Sequence, residues 1–445
     1  MSKKAKRSLC LLFLLFLLFT NTLSLSAYAK ESSPDLSRAE HVYLYNFESN
    51  RVLIEKNSDE KLFPASMTKV VTALVALESL ADRLDEKVVI TNELLSGHEG
   101  AGMKLEAGMT VTVMDLLYGL ICGGGNDAAL VLSRICEKDT ATFVSRMNKF
   151  AISLGATNTT FTNPTGLDDE AMYSTLSDIA LFCHAAADSP LYMEISNAKS
   201  YVYSPYSSGE KIKLFNRNAL VGTYYAQGYV NRSADGIMSG VTDLGGYCVA
   251  ALGNTGTEKY LCIVMGATAD KNNIYSYKLF NELLNYASAR YEYKCIAKEG
   301  DIISSIPVEN AEKYSENGDG EARISCALGE DVYVLLDNHS NEQIRYKCYF
   351  FEDTVSAPCP LYQKVGGVDY ICGDRLMATV PLVLTEDVKA NGFLLLMDNL
   401  KNFFLGKFFI ISLITFLLIF SLYYYFIELR HRRKKTKKIK YRNFY

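Results

Sequence analysis

A run of twenty residues without a charge, 408–427, lies near the C-terminus of this 445-residue chain. It is long enough to cross a bilayer as a helix, and the three tyrosines near its end suit the membrane interface. Residues 430–445 then include nine Lys and Arg and no acid. Because basic flanks stay on the cytoplasmic side, we expect a transmembrane helix, a cytoplasmic tail at 428–445 and an external body. A basic tail can also bind nucleic acid, but its position directly after a transmembrane helix already explains its charge.

The N-terminus has the pattern of a secretory signal peptide over residues 1–29. Four basic residues precede an apolar run, 9–19, and the triplet 27–29 (Ala-Tyr-Ala) is a small-x-small cleavage site. The apolar run is too short to span a membrane, which disfavours an uncleaved anchor. We therefore expect export, with a mature chain that begins near Lys30.

The exported part is acidic once the two basic ends are set aside, which disfavours charge-driven binding to an anionic surface. Removal of Cys10 with the signal leaves ten cysteines, several of them within apolar runs and none in a C-x-x-C pattern. Mostly free, buried thiols are therefore expected. The histidines and cysteines also lack metal-ligand spacing, so we predict no metal and no other cofactor.

Hydrophobic patterning divides the exported part into two domains. An early hairpin, central helices, late strands and a closing helix over 273–293 predict an α+β domain at 30–292, with an antiparallel sheet and a helical insert. Short alternating strands between turn residues predict a small all-β domain at 293–392. A juxtamembrane linker, 393–407, is expected before the transmembrane helix at 408–427.

The sequence Pro-Ala-Ser-Met-Thr-Lys at 64–69 precedes an apolar run, 70–77. Proline favours a helix start, so Ser66 is expected in the first turn and Lys69 on the same face one turn later. An amine held neutral can take the proton of a serine hydroxyl as the oxygen attacks. The apolar run predicts a helix buried on every side, which would hold the nucleophile rigidly. The alternative is a capping Ser66 with a solvated Lys69, because S-x-x-K also occurs three times elsewhere in polar stretches.

Two further motifs follow along the chain. The glycines at 123–125 interrupt a helical stretch, so the backbone can approach a ligand closely and Asn126 can project from it. A flexible loop with an Asn-Asp helix cap is the alternative. Met238, Ser239 and Gly240 lie on a late predicted strand.

With these three motifs in order, the chain resembles the D-alanyl-D-alanine carboxypeptidases, the low-molecular-weight penicillin-binding proteins. In that family S-x-x-K is combined with S-x-N and K-T-G motifs. The similarity extends to segments such as 62–69, 163–169 and 357–366, and so covers the exported chain. The resemblance implies a β-lactamase/transpeptidase-like catalytic domain, followed by the small all-β domain and one C-terminal transmembrane helix.

The resemblance also implies roles for individual residues. Ser66 would attack the carbonyl of a D-Ala-D-Ala stem peptide of peptidoglycan and form an acyl-enzyme, with Lys69 as base. The backbone N–H groups of Ser66 and Val241 would stabilise the oxyanion. Asn126 would bind the substrate amide, and the strand edge at 239–240 would pair with the peptide. β-Lactams would acylate the same serine.

Two motif positions depart from the family, since the S-x-N serine is Gly124 and the K-T-G lysine is Met238. In the family this serine relays a proton to the leaving amine, and this lysine contacts the serine and attracts the substrate carboxylate. Loss of the cation would raise the pKa of Lys69, whereas a methionine in the pocket would lower it by desolvation. The pattern leaves the net direction open.

Two functions are compatible with these residues. We favour a serine carboxypeptidase, working or weakened, because Ser66, Lys69 and Asn126 are all retained. The alternative is a non-catalytic envelope protein that keeps the fold and binds muropeptide. Because the two altered positions touch in the family, we expect restoring both Gly124→Ser and Met238→Lys to help far more than either alone.

Overall fold

The computed structural model describes residues 33–256, 258–312, 322–340 and 343–442. The predicted signal peptide, 1–29, lies outside these residues. The chain divides into two units. The first extends to Tyr293 and includes Leu335–Ser340, and the second comprises Lys294–Val334 and the chain from Asn341 onward.

Strands and helices alternate in the first unit, and strands dominate the second until the C-terminal helices. The strands are β1 (His41–Asn46), β2 (Arg51–Lys56), β3 (Lys87–Val89), β4 (Thr110–Thr112), β5 (Ser200–Tyr203), β6 (Ile212–Phe215), β7 (Ala234–Thr242), β8 (Gly246–Asn254), β9 (Lys259–Ala267), β10 (Tyr291–Ala297), β11 (Ile302–Glu309), β12 (Arg323–Leu328), β13 (Val332–Asp337), β14 (Ile344–Phe350), β15 (Val355–Ser356), β16 (Lys364–Cys372) and β17 (Arg375–Leu384). The α-helices are α1 (Thr68–Leu80), α2 (Asn92–Leu95), α3 (Val113–Ile121), α4 (Asn126–Cys136), α5 (Thr140–Ser153), α6 (Leu176–Ala187), α7 (Pro190–Asn197), α8 (Tyr275–Arg290), α9 (Gly392–Leu405) and α10 (Lys407–Arg442). Short 3₁₀ helices form at Leu36–Arg38 and Ala65–Met67.

A five-stranded antiparallel sheet in the order β2-β1-β9-β8-β7 is the framework of the first unit. Both of its faces are buried. On β9, Leu261 and Ile263 enter the large apolar core that contains α1, while Cys262 and Val264 enter a second core with α8. Successive strand residues point to opposite faces, which explains this alternation. The sheet is a middle layer between helices, and β7 forms one edge of it.

Helix α1 is the central helix of the insert. Apart from Glu78 and Ser79, all its residues are buried, and it packs against α3, α4, α5 and α6. Each fully buried Val or Leu contributes roughly 1.5–3 kcal/mol to folding. This confirms the prediction of a helix buried on every side. Such a helix holds the residues at its N-terminus in a fixed position.

The second unit contains an all-β region with a six-stranded sheet in the order β14-β16-β17-β12-β11-β15. Its pairs are antiparallel except for the short parallel pair β11–β15. Alternating apolar residues such as Ile324, Cys326 and Leu328 of β12 are buried. The predicted fold class, an α+β domain followed by an all-β region, is therefore confirmed.

Two element boundaries differ from the sequence-based expectation. The closing helix expected over 273–293 ends at Arg290, because Tyr291 begins strand β10, whose tyrosines and isoleucine favour extended structure. The segment expected as a linker, 393–407, is helix α9, whose first N–H groups are capped by the side chain of Asn391. Apolar residues that suit a helix follow this cap.

Helix α10 begins at Lys407 and continues through the predicted span into the basic tail. Within the described part of the chain, one helix is long and apolar enough to cross a membrane, Lys407–Arg433. The tyrosines at 423–425 lie within it and are exposed. The helix predicted at 408–427 is thus present and longer than expected.

All ten cysteines of the described residues are free thiols. Cys122 and Cys248 are buried, and burial raises the pKa of each thiol to about 12. Burial also raises the pKa of Cys183 and Cys262, which lie in the two cores on either side of the main sheet. These thiols are packing residues of low reactivity.

Candidate active site

A cavity of about 260 Å³ opens beside the edge strand β7. It brings together seven of the residues that the sequence singled out, although they come from separate parts of the chain. These residues are Ser66, Lys69, Gly124, Asn126, Ser239, Gly240 and Val241.

Ser66 lies in the 3₁₀ turn Ala65–Met67, immediately before α1 rather than within it. The preceding Ala65 has a φ of +47°, a left-handed conformation that is uncommon for a residue with a side chain. Two glycines allow the chain to close around it: a Cβ on Gly166 would collide with Ala65 O, and one on Gly245 would lie 2.7 Å from the Ala65 Cβ. The serine is therefore held in a tightly enclosed turn.

Strand β7 passes directly beside this turn. A Cβ added at Gly240 would collide with the Ser66 Oγ, so only glycine permits the approach. The strand edge is thus within contact distance of the hydroxyl. An extended peptide added to this edge would place its backbone against Ser66.

Lys69 is buried, with 4% of its surface exposed, and its Nζ donates to Thr165 O at 2.6 Å. Burial lowers the pKa of Lys69 to about 7, and the positive charge of Arg217 lowers it further. The pKa of Lys69 is therefore below its usual value, whatever the two motif substitutions contribute. Ser66 also makes no helix-capping hydrogen bond, so the alternative of a capping serine with a solvated lysine is wrong.

Asn126 is the first residue of α4 and is fixed by the loop that faces it. Its backbone N–H donates to Ala101 O at 2.6 Å, and its Nδ2 donates to Glu99 O at 2.8 Å. Asp127 binds the same loop, since its carboxylate accepts from the backbone N–H of Met103 at 2.9 Å. The Asn126 Oδ1 is buried without a hydrogen-bond partner in the described structure. A buried acceptor left unpaired costs about 1–3 kcal/mol, so this oxygen is available to a ligand N–H.

The two altered motif positions differ in where they lie. Gly124 lines the cavity with a φ of +62°, and a Cβ there would lie 2.9 Å from the Cδ of Arg217. Met238 is 3% exposed and belongs to the large apolar core, and it does not line the cavity. The expectation of a methionine in the pocket is therefore wrong. An apolar side chain gains more free energy in the core than against polar groups.

The cavity also contains polar residues that no sequence motif marks, among them Arg217, Ser276 and Tyr277. Ser276 and Tyr277 lie in the first turn of α8, and burial raises the pKa of the Tyr277 phenol. The arginine follows β6 within an Asn-Arg-Asn triplet. The buried Asn216 and Asn218 accept backbone N–H groups from the same loop, at 2.8 Å and 3.1 Å. In the sequence, the two asparagines on either side of the arginine were the available sign that this loop is held in a fixed conformation.

Comparison with known proteins identifies the family. The family model "D-alanyl-D-alanine carboxypeptidase" matches residues 28–269, and the model "Penicillin-binding protein 5, C-terminal domain" matches residues 291–390. The first alone covers more than half of the chain. This protein belongs to the D-alanyl-D-alanine carboxypeptidase family.

Individual relatives agree with this assignment. D-alanyl-D-alanine carboxypeptidase DacF of Bacillus subtilis (strain 168) is 30% identical over 385 residues, which cover 84% of this chain and 92% of that protein. D-alanyl-D-alanine carboxypeptidase DacC of Escherichia coli (strain K12) is 29% identical over 364 residues, covering 79% and 84%. Penicillin binding protein 5 from Haemophilus influenzae, a solved structure, is 26% identical with a TM-score of 0.60, covering 80% and 99%. The resemblance found in the sequence is confirmed.

Proposed function

We propose that this protein is a serine-type D-Ala-D-Ala carboxypeptidase that removes the terminal D-Ala of peptidoglycan stem peptides. The principal observation is that Ser66 and the buried Lys69, whose pKa is about 7, line one cavity. A base is most effective when its pKa lies near the working pH, so an appreciable fraction of Lys69 is neutral near pH 7.

The reaction proceeds in two steps. The Ser66 Oγ attacks the carbonyl carbon of the penultimate D-Ala, and Lys69 Nζ takes the hydroxyl proton. The C–N bond then breaks, and the protonated Lys69 gives its proton to the leaving D-Ala amine, because Gly124 offers no hydroxyl for a relay. A water molecule, activated by the neutral Lys69, hydrolyses the acyl ester and returns Ser66 to its free form.

The substrate is positioned by the groups around the nucleophile. The peptide lies along the edge of β7 at residues 239–241, with the backbone N–H groups of Ser66 and Val241 directed at the oxyanion. The Asn126 Oδ1 accepts an N–H of the substrate, which satisfies the oxygen that has no partner in the described structure. A β-lactam enters the same position and acylates Ser66.

The test uses the detergent-solubilised full-length wild type. We expect a fluorescent penicillin to attach covalently, with the label on the peptide that contains Ser66, and D-Ala to be released from a model pentapeptide. Mass spectrometry of the labelled digest and an enzymatic D-Ala assay measure the two outcomes. Folded protein that neither takes the label nor releases D-Ala contradicts the proposal.

A second candidate function is a non-catalytic envelope protein that binds muropeptide. It is favoured by Gly124 and Met238, which stand where the family has a serine and a lysine. The relatives give it no specific support. Pentapeptide binding without D-Ala release and without penicillin labelling would distinguish it from the enzyme.

We also propose that the body, with a catalytic domain at 30–292 and a β domain at 293–392, lies outside the cytoplasmic membrane and is anchored by α10. The apolar helix Lys407–Arg433 and the basic residues that follow support this arrangement. We expect protease added to intact protoplasts to digest the body and to spare a tag placed after Tyr445. Digestion of the tag in intact protoplasts would contradict this orientation, and lysed protoplasts provide the control.

A further inference from the structure

We propose that Asn163 is a positioning residue for the reaction, because its carboxamide builds the turn whose Thr165 carbonyl oxygen holds the amine of Lys69. The inference rests on the proposed function and deepens it, since it assigns a residue that acts through the base without touching the substrate. Among the described residues, Thr165 and Gly166 line the cavity and Asn163 does not.

The side chain of Asn163 closes a short turn at residues 163–167. Its Oδ1 accepts hydrogen bonds from the backbone N–H of Thr165 at 3.1 Å, from the Thr165 hydroxyl at 2.8 Å and from the backbone N–H of Gly166 at 2.8 Å. Its Nδ2 donates to Leu167 O at 3.1 Å. Asparagine is favoured in such turns because its side chain binds the backbone two residues on. Both polar atoms of the carboxamide therefore fix the backbone around Thr165.

The same turn is attached to the segment that carries Ser66 and Lys69. The hydroxyl of Thr72, on helix α1, donates to Pro164 O at 2.7 Å. Gly166 has a φ of +75° and packs so closely on the turn before α1 that a Cβ there would collide with Ala65 O. The turn is thus held against α1 on one side and against the turn of the nucleophile on the other.

Lys69 receives its orientation from this turn. Its Nζ donates to Thr165 O at 2.6 Å. A neutral amine has two N–H bonds and one lone pair, so an N–H bound to the carbonyl limits the directions in which the lone pair can point. A lysine side chain that is free loses much rotamer entropy when it is ordered. A carbonyl that is already in place removes this cost from the proton transfer.

The carbonyl holds the amine without supplying a negative charge. Burial lowers the pKa of Lys69 to about 7, and Arg217 acts in the same direction, whereas a carboxylate in the place of the carbonyl would raise it. The other titratable side chains that line the cavity are Tyr225, Tyr247, Cys248 and Tyr277. Helices α4 and α6, which pack on α1, contribute Asp127 and Asp178, and each of these carboxylates accepts a backbone N–H from a neighbouring loop. The turn therefore orients the base and leaves its pKa near 7.

Asn163→Ala should lower the plateau rate of acylation by a β-lactam about ten- to hundredfold, because a base displaced by about 1 Å can lose this much. The rising limb of the rate should also move to higher pH. Water that reaches the amine through a loosened turn relieves the burial, which is the largest cause of the low pKa of Lys69. Stopped-flow acylation of the detergent-solubilised full-length protein, between about pH 5 and pH 10, separates the plateau from the midpoint.

Asn163→Asp separates the two effects. Aspartate keeps an oxygen that can accept the same three hydrogen bonds, and it is also favoured in such turns. Its plateau should stay close to that of the wild type, while its midpoint should move to higher pH because the added negative charge favours the protonated Lys69. A plateau as low as that of Asn163→Ala would contradict the role assigned to the carboxamide oxygen.

Thr165→Val is a milder change, for the case in which Asn163→Ala does not fold. It removes the hydroxyl that donates to Asn163 and keeps the carbonyl, so the plateau should fall by a smaller factor and the midpoint should move in the same direction. Asn46→Ala is the matched control. The Asn46 Oδ1 accepts the backbone N–H and the hydroxyl of Ser49, at 2.8 Å and 2.6 Å, in the turn after β1. This variant should lose thermal stability and keep both the plateau and the midpoint.

A second measurement reads Lys69 without turnover. Acetic anhydride modifies neutral amines, so the pH dependence of acetylation of the peptide that contains Lys69, followed by mass spectrometry, reports its pKa. The midpoint should be higher in Asn163→Ala and in Asn163→Asp than in the wild type. An unchanged plateau and midpoint in folded Asn163→Ala, or in Thr165→Val if the alanine variant does not fold, overturn the inference.

Failure of the proposed function gives a different result. The wild type would then take no acyl label from penicillin and release no D-Ala. The acetylation midpoint of Lys69 would still show whether Asn163 controls the amine, and a midpoint that is the same in the wild type and in both Asn163 variants would overturn the inference in that case too.

Discussion

Ser66→Ala should abolish covalent labelling by a fluorescent penicillin and D-Ala release from a pentapeptide, while the protein remains folded. The acyl-enzyme forms at this oxygen in the proposed mechanism, and no other group can take its place. The fold should tolerate the change because the Ser66 hydroxyl makes no helix-capping hydrogen bond. Labelling after gel electrophoresis and thermal unfolding provide the two measurements.

The matched control for this change is Ser208→Ala. Ser208 is also followed by a lysine in an S-x-x-K pattern, but it lies on the exposed surface, where its hydroxyl accepts the Glu210 N–H. It should leave labelling unchanged. Label that survives in Ser66→Ala would place the nucleophile elsewhere and contradict the proposed mechanism.

Lys69→Ala should slow acylation about 10²–10⁴-fold, which is the usual contribution of a positioned base. The wild-type rate should rise with pH through about 7, because deprotonation of Lys69 produces the active base. This limb should disappear in the variant. Stopped-flow measurement of β-lactam acylation between pH 5 and pH 9, about two units on either side of the pKa, resolves both effects.

Lys69→Arg separates base catalysis from simple positive charge. Arginine retains a cation of similar length but does not lose its proton in this pH range. The Lys69→Arg variant should therefore acylate about as slowly as Lys69→Ala, and its rate should not rise with pH through about 7. A rate close to that of the wild type would contradict the assignment of Lys69 as the base.

The parts of the site that are local in sequence were predictable. Ser66 and Lys69 are three residues apart at the start of an apolar helix, so helical geometry alone places them together. Asn126 follows three glycines at a helix start, and its position at the cavity follows from that local pattern. The α+β and all-β regions were predictable for a similar reason, since the periodicity of apolar residues reports which faces are buried.

The parts that depend on tertiary approach were not predictable. Arg217 enters the cavity from a loop after β6, and no motif connects it with Lys69 or Gly124. The family resemblance implies that the side chains at positions 124 and 238 touch. In the structure a side chain at 124 would first meet Arg217, and Met238 lies in the core. A serine restored at 124 would meet this arginine and a φ of +62°, a steric cost that the sequence does not reveal.

The free thiols described above have a consequence for how this protein withstands its surroundings. Its described residues contain ten cysteines and no cross-link between them, so no disulfide contributes to the stability of that part of the fold. Assembly of the body therefore requires no oxidant, and its resistance to unfolding should be the same in reducing and oxidising media. Thiols buried in both cores become available for mispairing only when the sheet opens. For a protein that we propose to be exported, redox conditions should therefore affect the refolding of unfolded molecules but not the stability or activity of folded ones.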